Sequence, residues 1–351
     1  MSPQLPASAR SVADFFTRAL SSFQSSRSKL QIICTAAAPA LPHPGGADHG
    51  QQPVPLPPSR RPRTVLVLDS SFNPPTRAHL RMATSAIRDL AHTERGQKLD
   101  TSLRLLLLLS VNNADKGTKP AAFDKRLAMM WAFARDVQHS LRTGSEEAEL
   151  ASGEGPGGYS AEEALSVDIG LATLPYFHDK SAALAEGGFY NDGDAPENDG
   201  IMGEKTEQVF LVGFDTLIRI FNPKYYGPPL ESTAQLAGPA EEVTPMQQSL
   251  DPFLARAKLR VTMRTGDEWG GADEQTGYLE DLLRADGLGK VGGNKDWGSR
   301  IDVVEGRKVG ADIISSTHAR AAAKDRDPKR LDLMVTPGVR WWIEQEGLYT
   351  E

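Results

Sequence analysis

Apolar positions along the chain change period repeatedly, from unbroken runs to helical stripes. Thr64–Asp69 (TVLVLD) is a short apolar run with branched residues, and in Arg77–Leu90 the apolar positions Leu80, Ala83, Ile87 and Leu90 share one helical face. The two predict a strand–loop–helix unit. Leu103–Leu109 is a continuous apolar segment too short for a core helix and reads as a buried parallel strand. The stripe Phe123, Leu127, Met130, Trp131, Ala134 and Val137 predicts a second helix. Further strand candidates are Ser166–Leu171, Gln208–Val212, Lys258–Met263 and Arg300–Val304, with helices at Asp215–Phe221 and Ser316–Lys324. The alternation predicts an α/β domain with a mainly parallel sheet and helices on both faces.

Near the N-terminus, Phe15, Phe16, Leu20 and Phe23 alternate with Arg10, Arg18, Arg27 and Lys29. A mitochondrial presequence shares that amphipathic pattern, but Asp14 favours a packing helix followed by a short strand at Leu30–Ile33. Pro39–Pro62 is rich in Pro, Gly and Gln and reads as a tether. Residues 1–62 are therefore expected as an N-terminal appendage with its linker, and 63–351 as the main domain. Stretches near 145–158, 186–206 and 227–249 are rich in Gly, Pro and acids and are expected as surface insertions.

The 351 residues carry a formal charge of −7, which speaks against a general nucleic-acid coat or a membrane-surface binder. Leu105–Leu109 is the longest apolar candidate, far short of the roughly 18 residues of a membrane span. Cys34 is the only cysteine, so an intrachain disulfide and a cysteine-rich zinc site are excluded, and a reducing cytoplasmic or nuclear compartment is expected. The other histidines lack the H-x-x-x-H spacing of a zinc site, and the glycines of 287–295 lack the spacing of a phosphate loop. No metal ligands are expected.

In a parallel sheet, ligands collect at the carboxyl ends of strands and anions at helix N-termini. Two segments fit. In Ser70–His79, which leads from the first strand into the first helix, Thr76 is an N-cap candidate and His79 leans back toward it. In Ile313–Arg320, small hydroxyl residues open another helix, and Arg320 follows Ser316 by one turn. Two such N-termini in one domain point to a polyphosphate.

Ser71-Phe72-Asn73-Pro74-Pro75-Thr76-Arg77-Ala78-His79 resembles the first signature of nicotinamide-mononucleotide adenylyltransferases. Ile314-Ser315-Ser316-Thr317-His318-Ala319-Arg320 resembles their second, ISSTxxR, in the same order. Thr76 stands where the wider superfamily has a first histidine, a replacement common in eukaryotic members. Lys116 matches a lysine that contacts substrate phosphate, Gly213-Phe214-Asp215 a Gly-x-Asp turn whose aspartate reaches the adenosine ribose, and 335–349 the last helix. The string 68–75 with 112–116 suggests a divergent, fungal-like branch.

The resemblance implies a Rossmann-like nucleotidyltransferase fold in which nicotinamide mononucleotide attacks the α-phosphorus of ATP, giving NAD and pyrophosphate. His79, Lys116 and Arg320 would be the catalytic cations and donors. Ser71, Phe72, Asp215, Ser315, Ser316 and Thr317 would bind nucleotide, with Mg²⁺ carried by the ATP. Tyr226 would stack on the acceptor base, with Tyr176 or Phe177 opposite. A same-fold enzyme using CTP or another phosphorylated acceptor, and a non-catalytic nucleotide-binding scaffold, are the competing expectations.

Overall fold

The computed structural model describes residues 6–37, 52–93, 103–111, 121–143, 165–191, 205–227, 243–263, 271–284, 286–306 and 313–351. Seven strands form one sheet: β1 (Leu30–Ala36), β2 (Thr64–Asp69), β3 (Leu103–Ser110), β4 (Ser166–Ala172), β5 (Glu207–Gly213), β6 (Ala257–Thr262) and β7 (Ile301–Val304). The helices are α1 (Ala7–Ser25), α2 (Arg77–Thr93), α3 (Phe123–Thr143), α4 (Phe177–Glu186), α5 (Phe214–Ile220), α6 (Pro245–Arg256), α7 (Ala272–Leu283), α8 (Gly287–Lys290), α9 (Ser316–Lys324), α10 (Pro328–Met334) and α11 (Pro337–Glu346).

The strand order is β1-β4-β3-β2-β5-β6-β7, parallel throughout except for β1. The chain thus winds outward from β2 in one direction and from β5 in the other, the doubly wound Rossmann-like arrangement, with its topological switch between β2 and β5. Side chains alternate between two cores. Leu66, Leu68, Leu105, Leu107 and Leu109 face the side covered by α1, α2, α3 and α11. Val65, Val67, Leu106 and Leu108 face α5, α6 and α7.

The expected N-terminal appendage is corrected by the fold, because α1 and β1 are integral to the domain. β1 pairs antiparallel with β4 from Leu30↔Ala172 to Ala36↔Val167, with a register shift between Ile32 and Cys34. It extends three residues beyond the expected Leu30–Ile33. α1 buries Phe16 and Phe23, with the Phe16 ring 6.4 Å from Trp131 of α3. Gln138 of α3 donates to the carbonyls of Ala36 (3.0 Å) and Leu165 (2.8 Å), locking the edge pair. An edge strand with apolar side chains toward both cores has nowhere else to bury them.

Deep in this edge, Asp168 accepts from Thr35 Oγ1 (2.7 Å), Arg104 Nη1 (3.1 Å) and Tyr190 Oη (3.0 Å). Arg104 also donates to Leu56 O at 3.2 Å, so part of the expected tether is fastened to the sheet. Burial raises the Asp168 carboxyl to about 6, with Arg104, Thr35 and Tyr190 opposing.

The expected insertion 145–158 lies outside the described residues, as do 192–204 and 228–242. The other two insertion ranges are corrected at their ends. Tyr190 is a buried part of the domain, and α6 begins at Pro245, behind a capping box in which Thr244 and Gln247 exchange hydrogen bonds.

Candidate active site

β2 ends at the switch point and the chain turns through Ser70–Pro75 into α2. Phe72 takes a left-handed φ of 44°, its ring fully buried 5.4 Å from the His79 ring. Such a conformation costs about 1–3 kcal/mol and persists where packing fixes it. The turn is held from three sides: Arg126 Nη1 donates to Ser71 O (3.3 Å), Tyr349 Oη to Asn73 Oδ1 (2.8 Å) and Ala121 N to Asn73 Oδ1 (3.2 Å).

Thr76 caps α2, its carbonyl receiving the Leu80 N–H at 3.1 Å. The Thr76 N–H donates to His79 Nδ1 at 3.0 Å, the reach-back of a capping box with imidazole in place of carboxylate. An Nδ1 that accepts a backbone proton leaves the neutral ring's proton on Nε2, which lies 3.0 Å from Ser70 Oγ. His79 is thereby set up to donate.

α9 opens beside it. Ser315 caps the helix, accepting the His318 N–H at 3.2 Å. Ser316 Oγ donates to Pro74 O at 2.8 Å, and Arg320 reaches Asn73 O (2.8 Å) and Thr317 Oγ1 (3.2 Å) through its two terminal nitrogens. Between α2 and α9 lies a cavity of about 350 Å³. His79, Arg81, Ser315, Ser316 and Thr317 border it on the helix side, and Asp69, Ser70, Gly213 and Asp215 on the strand side. Two helix N-termini and a donor histidine converge on one hollow, an arrangement suited to a polyphosphate.

No protein-family model matches the sequence. Over 260 residues, 74% of this chain and 76% of the other, it is 29% identical to a Schizosaccharomyces pombe protein named "Putative nicotinamide mononucleotide adenylyltransferase". This chain is a divergent relative of the nicotinamide-mononucleotide adenylyltransferases, which are nucleotidyltransferase enzymes. Structures of Plasmodium falciparum nicotinic acid mononucleotide adenylyltransferase, complexed with NaAD or with APC, superpose with TM-scores of 0.40 at 12% and 11% identity, covering 82% of this chain and 97% of theirs.

Of the residues singled out by the adenylyltransferase signatures, His79, Asp215, Ser315, Ser316 and Thr317 border the cavity together. Arg320 is not on the wall; it donates to Thr317, which is, and to Asn73. Ser71 and Phe72 are not on the wall; they build the turn that aims His79. Lys116 lies outside the described residues.

Tyr226 does not reach the cavity either: its hydroxyl donates to Ile220 O at 2.5 Å. Its ring lies 6.1 Å from His178, which stacks on Tyr176 at 5.4 Å. This aromatic group stands beyond the carboxyl ends of β4 and β5, where burial lowers the His178 pKa and Asp179 opposes it.

Two charged features escaped the sequence reading. Arg81 Nη1 donates to Gly306 O at 3.3 Å on the cavity wall. Asp69, the last residue of β2, is paired with Lys180 of α4, both nearly buried. Burial raises the Asp69 carboxyl above its ordinary value and the Lys180 ammonium opposes the rise. The pair joins residues 111 apart, beyond any local pattern.

Proposed function

We propose that this protein transfers the AMP moiety of ATP to nicotinamide mononucleotide, releasing pyrophosphate and forming NAD. The observation that carries the reading is the shared hollow of α2 and α9, bordered by His79 and by Ser316 and Thr317 at the switch point of a doubly wound sheet. Such crevices hold dinucleotides, one nucleotide over each half of the sheet.

On this reading the β and γ phosphates lie at the α9 N-terminus, with Arg320 behind them. His79 donates from Nε2 to the α-phosphate as charge develops, in exchange for its contact with Ser70. Asp215 takes the adenosine ribose. Lys116 draws the acceptor phosphate toward the α-phosphorus, offsetting repulsion between two anions. No covalent intermediate is needed, and each preorganised donor contributes about 2.7–4 kcal/mol to the transition state. Mg²⁺ arrives on the triphosphate with its waters and phosphate oxygens. The Tyr176, His178 and Tyr226 group offers the acceptor base an aromatic face.

The test is pyrophosphate release from purified protein with ATP or CTP as donor and nicotinamide mononucleotide or other phosphorylated acceptors. Release with ATP plus the mononucleotide supports the proposal. Release confined to CTP, or ATP binding without turnover, overturns it.

A further inference from the structure

The segment Gln52–Arg63 (QPVPLPPSRRPR) has no part in the chemistry above, and none of it borders the cavity. Every residue from Gln52 to Pro58 is a proline or stands immediately before one. Proline fixes its own φ at about −65° and pushes the residue before it out of the helical region, so covalent geometry holds this run in polyproline II. Its only ladder contact is a single bridge between Val54 and Thr35.

The run is fastened to the domain at both ends. Thr35 N–H donates to Val54 O at 2.8 Å, Leu56 N–H to Thr35 Oγ1 at 3.0 Å, and Arg104 Nη2 to Leu56 O at 3.2 Å. Beyond the prolines, Thr206 Oγ1 donates to Pro62 O and the Glu207 N–H to Arg63 O, both at 2.8 Å. Polyproline II has three residues per turn, so residues three apart share one edge of a prism. On one edge Pro53 is buried, and Leu56, though 42% exposed, spends both its backbone groups on the domain. The other two edges carry Val54 with Pro57 and Pro55 with Pro58. Val54 is 44% exposed, Pro55 and Pro57 are exposed, and Pro58 is half-buried. Two residues further on, Arg60 is exposed.

We propose that Val54–Arg60 is a docking motif for a polyproline-reading domain of the SH3 class that carries acidic side chains beside its aromatic grooves. Such domains take PxxP segments in the polyproline II form, and Pro55-Leu56-Pro57-Pro58 supplies one. The Val54-Pro55 and Pro57-Pro58 pairs enter the grooves, and Arg60 pairs with the acid. Because the form is set before the partner arrives, little conformational freedom is lost on binding. Arg60, Arg61 and Arg63 place three cations within four residues of a chain whose net charge is −7, so the complementary surface is acidic at that end. The inference stands independently of the adenylyltransferase reading.

The experiment titrates the full-length protein calorimetrically against a panel of purified SH3 domains with acidic residues beside their grooves. At least one is expected to bind with micromolar affinity. Arg60→Glu, on an exposed side chain, is expected to weaken that binding about tenfold or more at an unchanged unfolding midpoint. Pro55→Ala plus Pro58→Ala is expected to abolish it; should that variant fail to fold, Arg60→Glu decides alone. Binding by no member of the panel, or binding undiminished by Arg60→Glu, overturns the inference. Binding by purified WW or EVH1 domains in place of the SH3 panel overturns it as well.

Discussion

Arg320 Nη1 donates to the carbonyl of Asn73 at 2.8 Å, joining the two signature segments across 247 residues of sequence. The guanidinium also holds Thr317, so its fork spans the loop before α2 and the first turn of α9. A lysine has one ammonium and cannot reproduce that fork. Arg320→Lys is expected to lower kcat/KM about 100-fold, and Arg320→Ala at least as far, in pyrophosphate-release assays. Retention of more than half the activity by the lysine variant would show that only charge matters there.

The Thr76 N–H that fixes the His79 tautomer makes a second expectation possible. His79→Ala removes a donor that acts mainly as charge develops, so kcat should fall by about two to three decades while the dissociation constant of ATP changes only severalfold. Separate measurement of turnover and ATP binding checks this. Equal losses in both would assign His79 to ground-state binding.

Gly306 borders the cavity and accepts from Arg81. A Cβ there would stand 1.9 Å from Met263 O, so Gly306→Ala must displace the wall. A stability loss of roughly 1–3 kcal/mol in urea unfolding is expected, together with weaker ATP binding. An unshifted unfolding midpoint would show that the strand ends yield without strain.

Asp168 gives a pH dependence of definite sign. Its folded value, about 6, lies above the ordinary 3.8, so the native state holds the proton more tightly than the unfolded chain does. Its contribution to stability is complete below about pH 4 and is lost as pH rises through 6. Asp168→Asn removes that dependence. Relative to wild type, the variant should gain up to about 3 kcal/mol between pH 4 and 7 in denaturant titrations. A difference that stays constant over that range would mean the carboxyl titrates normally.

The parallel strands β2 to β5 were legible because each is a mainly apolar run buried on two faces, whereas β6 alternates buried with half-buried positions and β7 is buried only at Ile301. Thr64–Asp69 matches β2, and the other strand candidates match within three residues. The opening of α9 at Ser316 was legible from its hydroxyl cap. α4 was not, since Phe177–Glu186 has a short, weakly amphipathic pattern after Pro175. α6 was hidden by the Pro- and Gly-rich stretch before it, although its Thr244-Pro245-x-Gln247 opening carries a capping-box pattern. The site was readable where motif residues are contiguous. Arg104 with Asp168, and Asp69 with Lys180, come from separate strands and helices, and one sequence holds no trace of such encounters.

The antiparallel seating of β1 against β4 also governs how the enzyme can be shortened. A chain begun at Arg63 would strip Ile32, Ile33 and Cys34 from both cores and leave the ladder of β4 without its outer neighbour. Bare ladders recruit strands from other molecules. β1 thus covers the β4 ladder, and fragments lacking it should accumulate as oligomers or precipitate on expression.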